Sequence, residues 1–156
     1  MYRRTTHWYR RREIVPPHPT STPRRGTLLI VSHRMKPTIE TLEGNIWPAP
    51  EFDSLLVRTA HALRKKPLDE LTPDDLRIAF NQNVGADFLK QRVLEVLELE
   101  PTTGDLFAGD LLLAVMNSHQ FKTDADFRSK IIACAERALP DFSDADTRDE
   151  IRRNFG

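Results

Sequence analysis

The stretch TPDDLRIAFNQNVGADFLKQRVLEVLE, residues 72–98, decides the fold because it holds two amphipathic helical patterns separated by a break. Thr72 is a favourable helix N-cap, Pro73 suits the first helical position, and the acids that follow meet the positive end of the helix dipole. Gly85 marks the break. The predicted helices cover about residues 73–81 and 86–98. Their predicted inward positions are Leu76, Ala79 and Phe80 in the first, and Phe88, Leu89, Val93, Val96 and Leu97 in the second.

Helical periodicity continues on both sides of this stretch. On the N-terminal side we expect a helix over residues 51–65, ended by Pro67, with an inward face formed by Phe52, Leu55, Leu56, Thr59 and Leu63. On the C-terminal side we expect helices over about 110–118, 123–139 and 143–154, capped by Asp110, Thr123 and Ser143. After residue 35 no stretch alternates with the period of a strand. The sequence therefore predicts an all-α fold, a compact bundle of about five helices with short connections.

Length and composition indicate an ordinary globular protein. The 156 residues suffice for one domain with a real core, and 39% of them are apolar and 29% charged. No apolar run approaches the roughly 18 residues of a membrane span. Cys134 is the only cysteine, which excludes an intrachain disulfide and favours a small buried side chain in a reducing, cytoplasmic setting.

Charge divides the chain into two unlike parts. Residues 1–34 contain eight arginines and one acid, a net charge of +7, whereas residues 35–156 contain 15 basic and 22 acidic residues, a net charge of −7. We therefore expect a helical domain over residues 35–156, preceded by an Arg/Pro-rich segment.

Three interpretations of residues 1–34 stay open. Translation begins at Met35 and the upstream residues are a mis-assigned start; or the segment is a disordered arm that binds nucleic acid or its own acidic domain; or it is an organelle transit peptide. The proline density disfavours the amphipathic helix of a transit peptide. The second interpretation supplies an alternative function, that of a regulatory helical protein that binds nucleic acid through this arm.

Enzymatic chemistry finds little support in the sequence. The motifs of phosphate-binding loops, zinc proteases and serine hydrolases are missing. Asp105 and Asp110, each next to a glycine, are the most enzyme-like feature and would suit a divalent cation. Asp110 also has an evident structural use as a helix cap, and the spacing supplies no further oxygen ligands. We therefore expect no enzymatic activity, no metal and no cofactor.

Acidic residues form the remaining signal, in three groups after residue 35. Such groups are usually solvated surface. Together, their charge makes nucleic-acid binding by the domain unfavourable and capture of a basic protein favourable. The groups are residues 69–75, residues 95–100 and residues 141–150.

A resemblance to a known family rests on motifs in one order and spacing. HALRKKPLDELTPDDLR (61–77), QNVG (82–85) followed by a helix, and GDLFAGDLL (104–112) resemble signatures of one family of contact-dependent growth inhibition immunity proteins. The similarity covers about residues 35–139. The pair Phe80-Asn81 departs from the smaller aliphatic pair of the family pattern. The segment before Met35 has no counterpart, which favours a start at Met35.

The resemblance implies a cytoplasmic binding protein whose partner is the toxin domain delivered by a neighbouring cell, in many cases a nuclease. We expect this protein to be a monomer. Such a protein blocks the toxin's active site or substrate surface. Signature residues are expected to be scaffold, with Arg77 pairing with Asp105 or Asp110 and the glycines permitting positive φ or close approach. The expected scaffold residues are Arg64, Pro67, Leu76, Arg77, Gln82, Gly85, Gly104, Asp105, Gly109 and Asp110. The expected toxin-binding residues are the exposed acids Asp74, Asp75, Glu95, Glu98 and Glu100.

Overall fold

Eight α-helices and two 3₁₀ turns build the part of the chain that the computed structural model describes, residues 35–52 and 54–156, and that part contains no β-strand. The helices are α1 (Ile39–Glu43), α2 (Leu55–Lys65), α3 (Pro73–Gln82), α4 (Ala86–Leu99), α5 (Asp110–Asn117), α6 (His119–Thr123), α7 (Ala125–Ala138) and α8 (Ala145–Arg153). The 3₁₀ turns are Leu68–Glu70 and Leu139–Asp141. The all-α prediction is confirmed. The described part has eight helices rather than about five, and two of the eight, α1 and α6, are single turns. The interpretations of residues 1–34 lie outside the described residues.

Helix α5 lies at the centre of the bundle. Every residue of Leu111–Met116 is buried, as expected for a helix that is apolar on all sides. It packs against α3, α6, α7 and α8, while α4 packs against α3 and α7. None of the helices in the described part is long and apolar enough to cross a membrane.

The α3–α4 hairpin matches the sequence prediction closely. Thr72 caps α3, and its hydroxyl and the carboxylate of Asp75 form a reciprocal capping box with the two backbone N–H groups. The predicted inward residues of α3 are all buried. In α4 the buried face differs from the predicted one, because Phe88 is exposed and Leu94 is buried.

Helix α2 is shorter than predicted and faces the core differently. It begins at Leu55, with Ser54 as the N-cap, rather than at residue 51. Phe52, Leu55 and Leu56 are exposed, so the predicted inward face is wrong at these positions. The buried residues of α2 all lie in its C-terminal half, where it packs against α1 and α3. Its first turn therefore projects beyond the core, and periodicity alone does not reveal that.

Two predicted caps are off by one residue. Asp124, not Thr123, caps α7, and Asp144, not Ser143, caps α8. Thr123 instead ends α6, where its hydroxyl donates to the backbone carbonyl of His119. Aspartate, serine and threonine are comparably good caps, so local sequence cannot choose between neighbours.

Arg64 fastens the irregular segment 44–50 to the bundle. Its guanidinium is 1% exposed, pairs with the carboxylate of Glu43, and donates to the backbone carbonyl of Asn45. The same group lies 4.0 Å from the centre of the Trp47 ring, a cation–π contact. His61 meets that ring edge-on at 5.2 Å between centroids. Trp47 thus anchors the segment to α2.

Gly85 between α3 and α4 is fixed by both its backbone and its neighbour. Its φ is +59°, and a Cβ there would lie 2.4 Å from Cγ2 of the buried Ile39. Gly44 has a similar φ of +61°, but no atom lies within 4 Å of the position that a Cβ would take there. A side chain at Gly44 therefore introduces backbone strain alone, whereas a side chain at Gly85 introduces both backbone strain and crowding.

We expect Gly44→Ala to lower the free energy of unfolding by about 1 kcal/mol, the cost of a left-handed alanine. Gly85→Ala should cost about 1–3 kcal/mol more, because the methyl group overpacks against Ile39. Urea unfolding of both variants measures the difference. Equal losses would show that Ile39 yields to the added methyl group.

Candidate functional site

The loop between α4 and α5, residues 100–109, is folded around one carboxylate. Asp110 is buried, and its Oδ2 accepts the backbone N–H of Asp105 at 3.1 Å and that of Leu106 at 2.8 Å. Asp110 is the first residue of α5, and Gly109, at φ +86°, occupies the N-cap position without a side chain. The prediction that Asp110 caps α5 is therefore wrong: its carboxylate closes the loop instead.

Gly104 and Gly109 allow this loop to close tightly. A Cβ on Gly104 would lie 2.0 Å from the carbonyl oxygen of Phe107, and one on Gly109 would lie 2.5 Å from Cε1 of Phe142. The N–H of Gly109 also donates to the carbonyl of Thr102 at 2.9 Å. The expected close approach is confirmed at both glycines, as it is at Gly85.

Arg77 connects the loop to the start of α3. Its Nε donates to Oδ1 of Asp74 at 3.0 Å and lies 3.6 Å from Oδ2 of Asp110. Of the two partners expected for Arg77, the structure selects Asp110. Asp105 is exposed and contributes its backbone N–H to the network. The contacts therefore run from Asp74 through Arg77 and Asp110 to the loop.

Two large apolar side chains project from this loop. Leu106 is 71% exposed and Phe107 is 50% exposed. Phe107 lines two cavities: one of about 390 Å³ that reaches α8, and one of about 230 Å³ that reaches α3 and α5 and also includes Glu150 of α8. Sequence reasoning missed this pair because two adjacent apolar residues in a loop produce no periodic signal. Their position between Gly104 and Gly109 was the one available clue.

The five predicted toxin-binding acids are arranged unequally. Asp74 pairs with Arg77, and Asp75 pairs with Lys66 and completes the capping box of α3. Glu95 lies 3.4 Å from Arg92, whereas Glu98 and Glu100 are exposed at the end of α4. The hairpin connection and the contact of α4 with the Leu68–Glu70 turn bring these acids toward the same end of the α3–α4 pair.

The other signature residues lie in the body or at its turns. Leu76 is fully buried, and Pro67 forms an isolated bridge with Thr38. Gln82 is exposed at the last position of α3.

The carboxylates of Asp105 and Asp110 do not form a shared cation site, because that of Asp110 accepts backbone N–H groups. Within residues 35–52 and 54–156, no group of three or more histidine, cysteine, aspartate or glutamate side chains is arranged to hold a metal ion.

A model of the family of CDI immunity proteins, where CDI denotes contact-dependent growth inhibition, matches residues 41–131, more than half of the chain. The chain belongs to this family. No curated protein and no solved structure matches it. In this CDI immunity protein the matched segment runs from α1 into α7 and includes the loop around Asp110, confirming the resemblance over a narrower range than residues 35–139. Helix α8, one wall of the larger cavity, lies outside the match.

We expect Asp110→Ala to lower the free energy of unfolding by about 2–3 kcal/mol, because it strands two backbone donors and removes a partner of Arg77. Asp110→Asn keeps one acceptor oxygen and should lose less. Asp105→Ala, an exposed control, should change stability by less than about 0.5 kcal/mol. Hydrogen exchange locates the effect: the Leu106 amide should exchange faster in Asp110→Ala, and an unchanged rate would contradict this account of the loop.

Asp75 gives a pH-dependent test of the helix start. Burial raises the pKa of its carboxyl group, but hydrogen bonds from Lys66 and Thr72 outweigh burial and hold the pKa below its ordinary value. A depressed pKa in the folded state means that ionised Asp75 stabilises the fold at neutral pH and ceases to do so as pH falls through that pKa.

Asp75→Asn should therefore cost about 1 kcal/mol near pH 7, and the difference from the wild type should shrink as pH falls below the ordinary pKa of an aspartate and through the depressed pKa of Asp75 in the fold. Urea unfolding at neutral and acidic pH measures it, with Glu98→Gln as an exposed control. A difference that is the same at both pH values would rule out the ion pair and cap as its source.

Proposed function

We propose that this protein neutralises a CDI toxin domain by binding it directly, with no chemistry of its own. The observation that carries the proposal is the match of residues 41–131 to the CDI immunity family. We further place the protein in the cytoplasm, where a delivered toxin acts, and propose that it works as a monomer.

The charge of the helical domain supports a nuclease as the toxin. A nuclease needs a basic surface to hold a polyanionic substrate, and residues 35–156 carry a net charge of −7. Such a domain repels nucleic acid and attracts the basic toxin surface that binds nucleic acid. Occlusion of the active site or substrate surface follows as the mode of inhibition, since an acidic protein competes for the same basic groups.

The acids at the end of α4 suit electrostatic steering. Glu98 and Glu100 are exposed, and Glu95 is close to them in sequence, so their field reaches into solvent on one side. Asp74 and Asp75 add to the field, although each is also engaged by a neighbouring cation. Because long-range fields act on association, these five acids should govern the rate of complex formation more than its lifetime.

The test uses the full chain and the C-terminal toxin domain encoded beside it. We expect a stable one-to-one complex that abolishes the toxin's activity and forms more slowly as salt is raised. Charge reversal of Glu95, Glu98 and Glu100 to lysine should reduce the association rate by about tenfold at low salt. Glu136→Lys, an exposed change on α7, is the control for the single reversal Glu98→Lys, because each raises the net charge by the same amount.

The possible results separate the parts of the proposal. If no complex forms and toxicity persists, the immunity function against this toxin is wrong. A complex whose formation ignores salt and charge reversal would leave toxin binding intact but remove the steering role of these acids. A neutralised toxin that has no nuclease activity would overturn the proposed toxin class.

A further inference from the structure

We propose that Leu106 and Phe107 anchor the toxin, and that the cavity between Phe107 and α8 receives an arginine or lysine side chain from it. This inference rests on the proposed function and adds the surface and the chemistry of its main contact. The anchor differs from the steering acids of α4.

The loop's own architecture does not require these two side chains. Gly104, Gly109 and the carboxylate of Asp110 determine its conformation, acting through backbone contacts. Leu106 and Phe107 leave large apolar surfaces in water next to each other, which is unfavourable unless something covers them. Aromatic side chains that a partner covers commonly dominate binding energy.

The pair is also held ready for binding. The N–H of Leu106 is fixed by Asp110, and Gly109 is packed against the ring of the buried Phe142. A loop already held in one conformation loses little conformational entropy when a partner docks. Rigid apolar side chains on such a loop are suited to tight rather than transient contact.

The cavity beside Phe107 has the chemistry of a cation site. Its volume is about 390 Å³, and the described residues that line it include three acids and no basic side chain. Asp144 already accepts the N–H and hydroxyl of Thr147, so its charge is partly used as the α8 cap. Asp146 and Glu150 stand four positions apart on α8 and form no ion pair with any described residue.

A basic side chain from a partner can pair with Asp146 and Glu150 and contact the ring of Phe107 at the same time. Two like charges at this spacing repel, and a guanidinium or ammonium group between them removes the repulsion. A planar guanidinium can also stack on the Phe107 ring while pairing with the carboxylates, which favours arginine. A basic toxin surface supplies such residues. The apolar anchor and the acidic cavity can therefore both be contacted by the same partner.

A second apolar concavity serves as the comparison. It measures about 410 Å³, is lined by the segment 47–52 with Val57 and His61, and includes Phe52, which is 77% exposed. Its one acidic lining residue, Glu51, gives it no comparable attraction for a basic partner. Phe52 therefore provides a control with the same side chain as Phe107 and a larger exposed fraction, 77% against 50%.

The first arm measures binding of full-length variants to the adjacent-gene toxin domain. Phe107→Ala and Leu106→Ala should each weaken the complex by roughly 30-fold, mainly through faster dissociation. Phe52→Ala and Leu55→Ala, both at highly exposed positions, should stay within about twofold. Urea unfolding confirms that each variant is folded, and Phe107→Leu, which keeps apolar bulk, should recover part of the affinity.

The second arm tests the cavity. The double variant Asp146→Asn with Glu150→Gln keeps the shape of both side chains and should weaken binding by about tenfold, with a smaller dependence on salt. Asp149→Asn, on the same helix but outside the cavity lining, should bind like the wild type.

Each result decides between named alternatives. Wild-type affinity in Phe107→Ala and Leu106→Ala overturns the anchor while leaving the proposed function intact, whereas no complex with the wild type overturns both. Wild-type affinity in the cavity variant overturns the cation site alone. If Phe107→Ala converts a dimer of this chain to a monomer without changing toxin binding, the pair covers a second copy and the inference is wrong.

Discussion

The buried carboxylate of Asp110 is the constraint on which the arrangement of the loop and its neighbours depends. A charge taken out of water is costly unless it is paired and hydrogen-bonded. Here two backbone N–H groups and the nearby Arg77 meet that requirement, and they belong to the loop and to α3. The same carboxylate therefore sets the path of the loop and links the loop to α3.

The sequence predicted elements whose causes are local. The capping box of Thr72 and Asp75 needs only residues three positions apart, and α5 is buried because no face of Leu111–Met116 is polar. The prediction failed where contacts with residues distant in sequence determine the local structure. Asp110 has the residue type and position of a cap, yet the loop competes for its oxygens. The first turn of α2 has an apolar stripe, yet no described element covers it.

The candidate site shows the same division between local and tertiary causes. Sequence alone identified an acidic domain and its acid-rich groups, because charge is counted without knowing the fold. It did not show that Asp74 and Asp75 bind cations of their own chain, or that Asp146 and Glu150 share a cavity wall with Phe107. The cavity wall and the pair of Asp75 with Lys66 depend on how separate segments lie together in the fold. Asp74 and Arg77, in contrast, are three positions apart on one helix, a spacing from which their pair is predictable.

This architecture separates folding from recognition within one short loop. The groups that set its conformation point inward and act on backbone atoms: the Asp110 carboxylate, the missing side chains of two glycines, and the ring of Phe142. The side chains of residues 106 and 107 point outward and contribute little to that network. On the proposed mode of binding, the α8 acids can change with the toxin while the loop, whose residues 106 and 107 lie within the signature-like motif at 104–112, stays folded. The position of α8 outside the matched residues 41–131 agrees with this, because a partner-specific wall need not share the family signature.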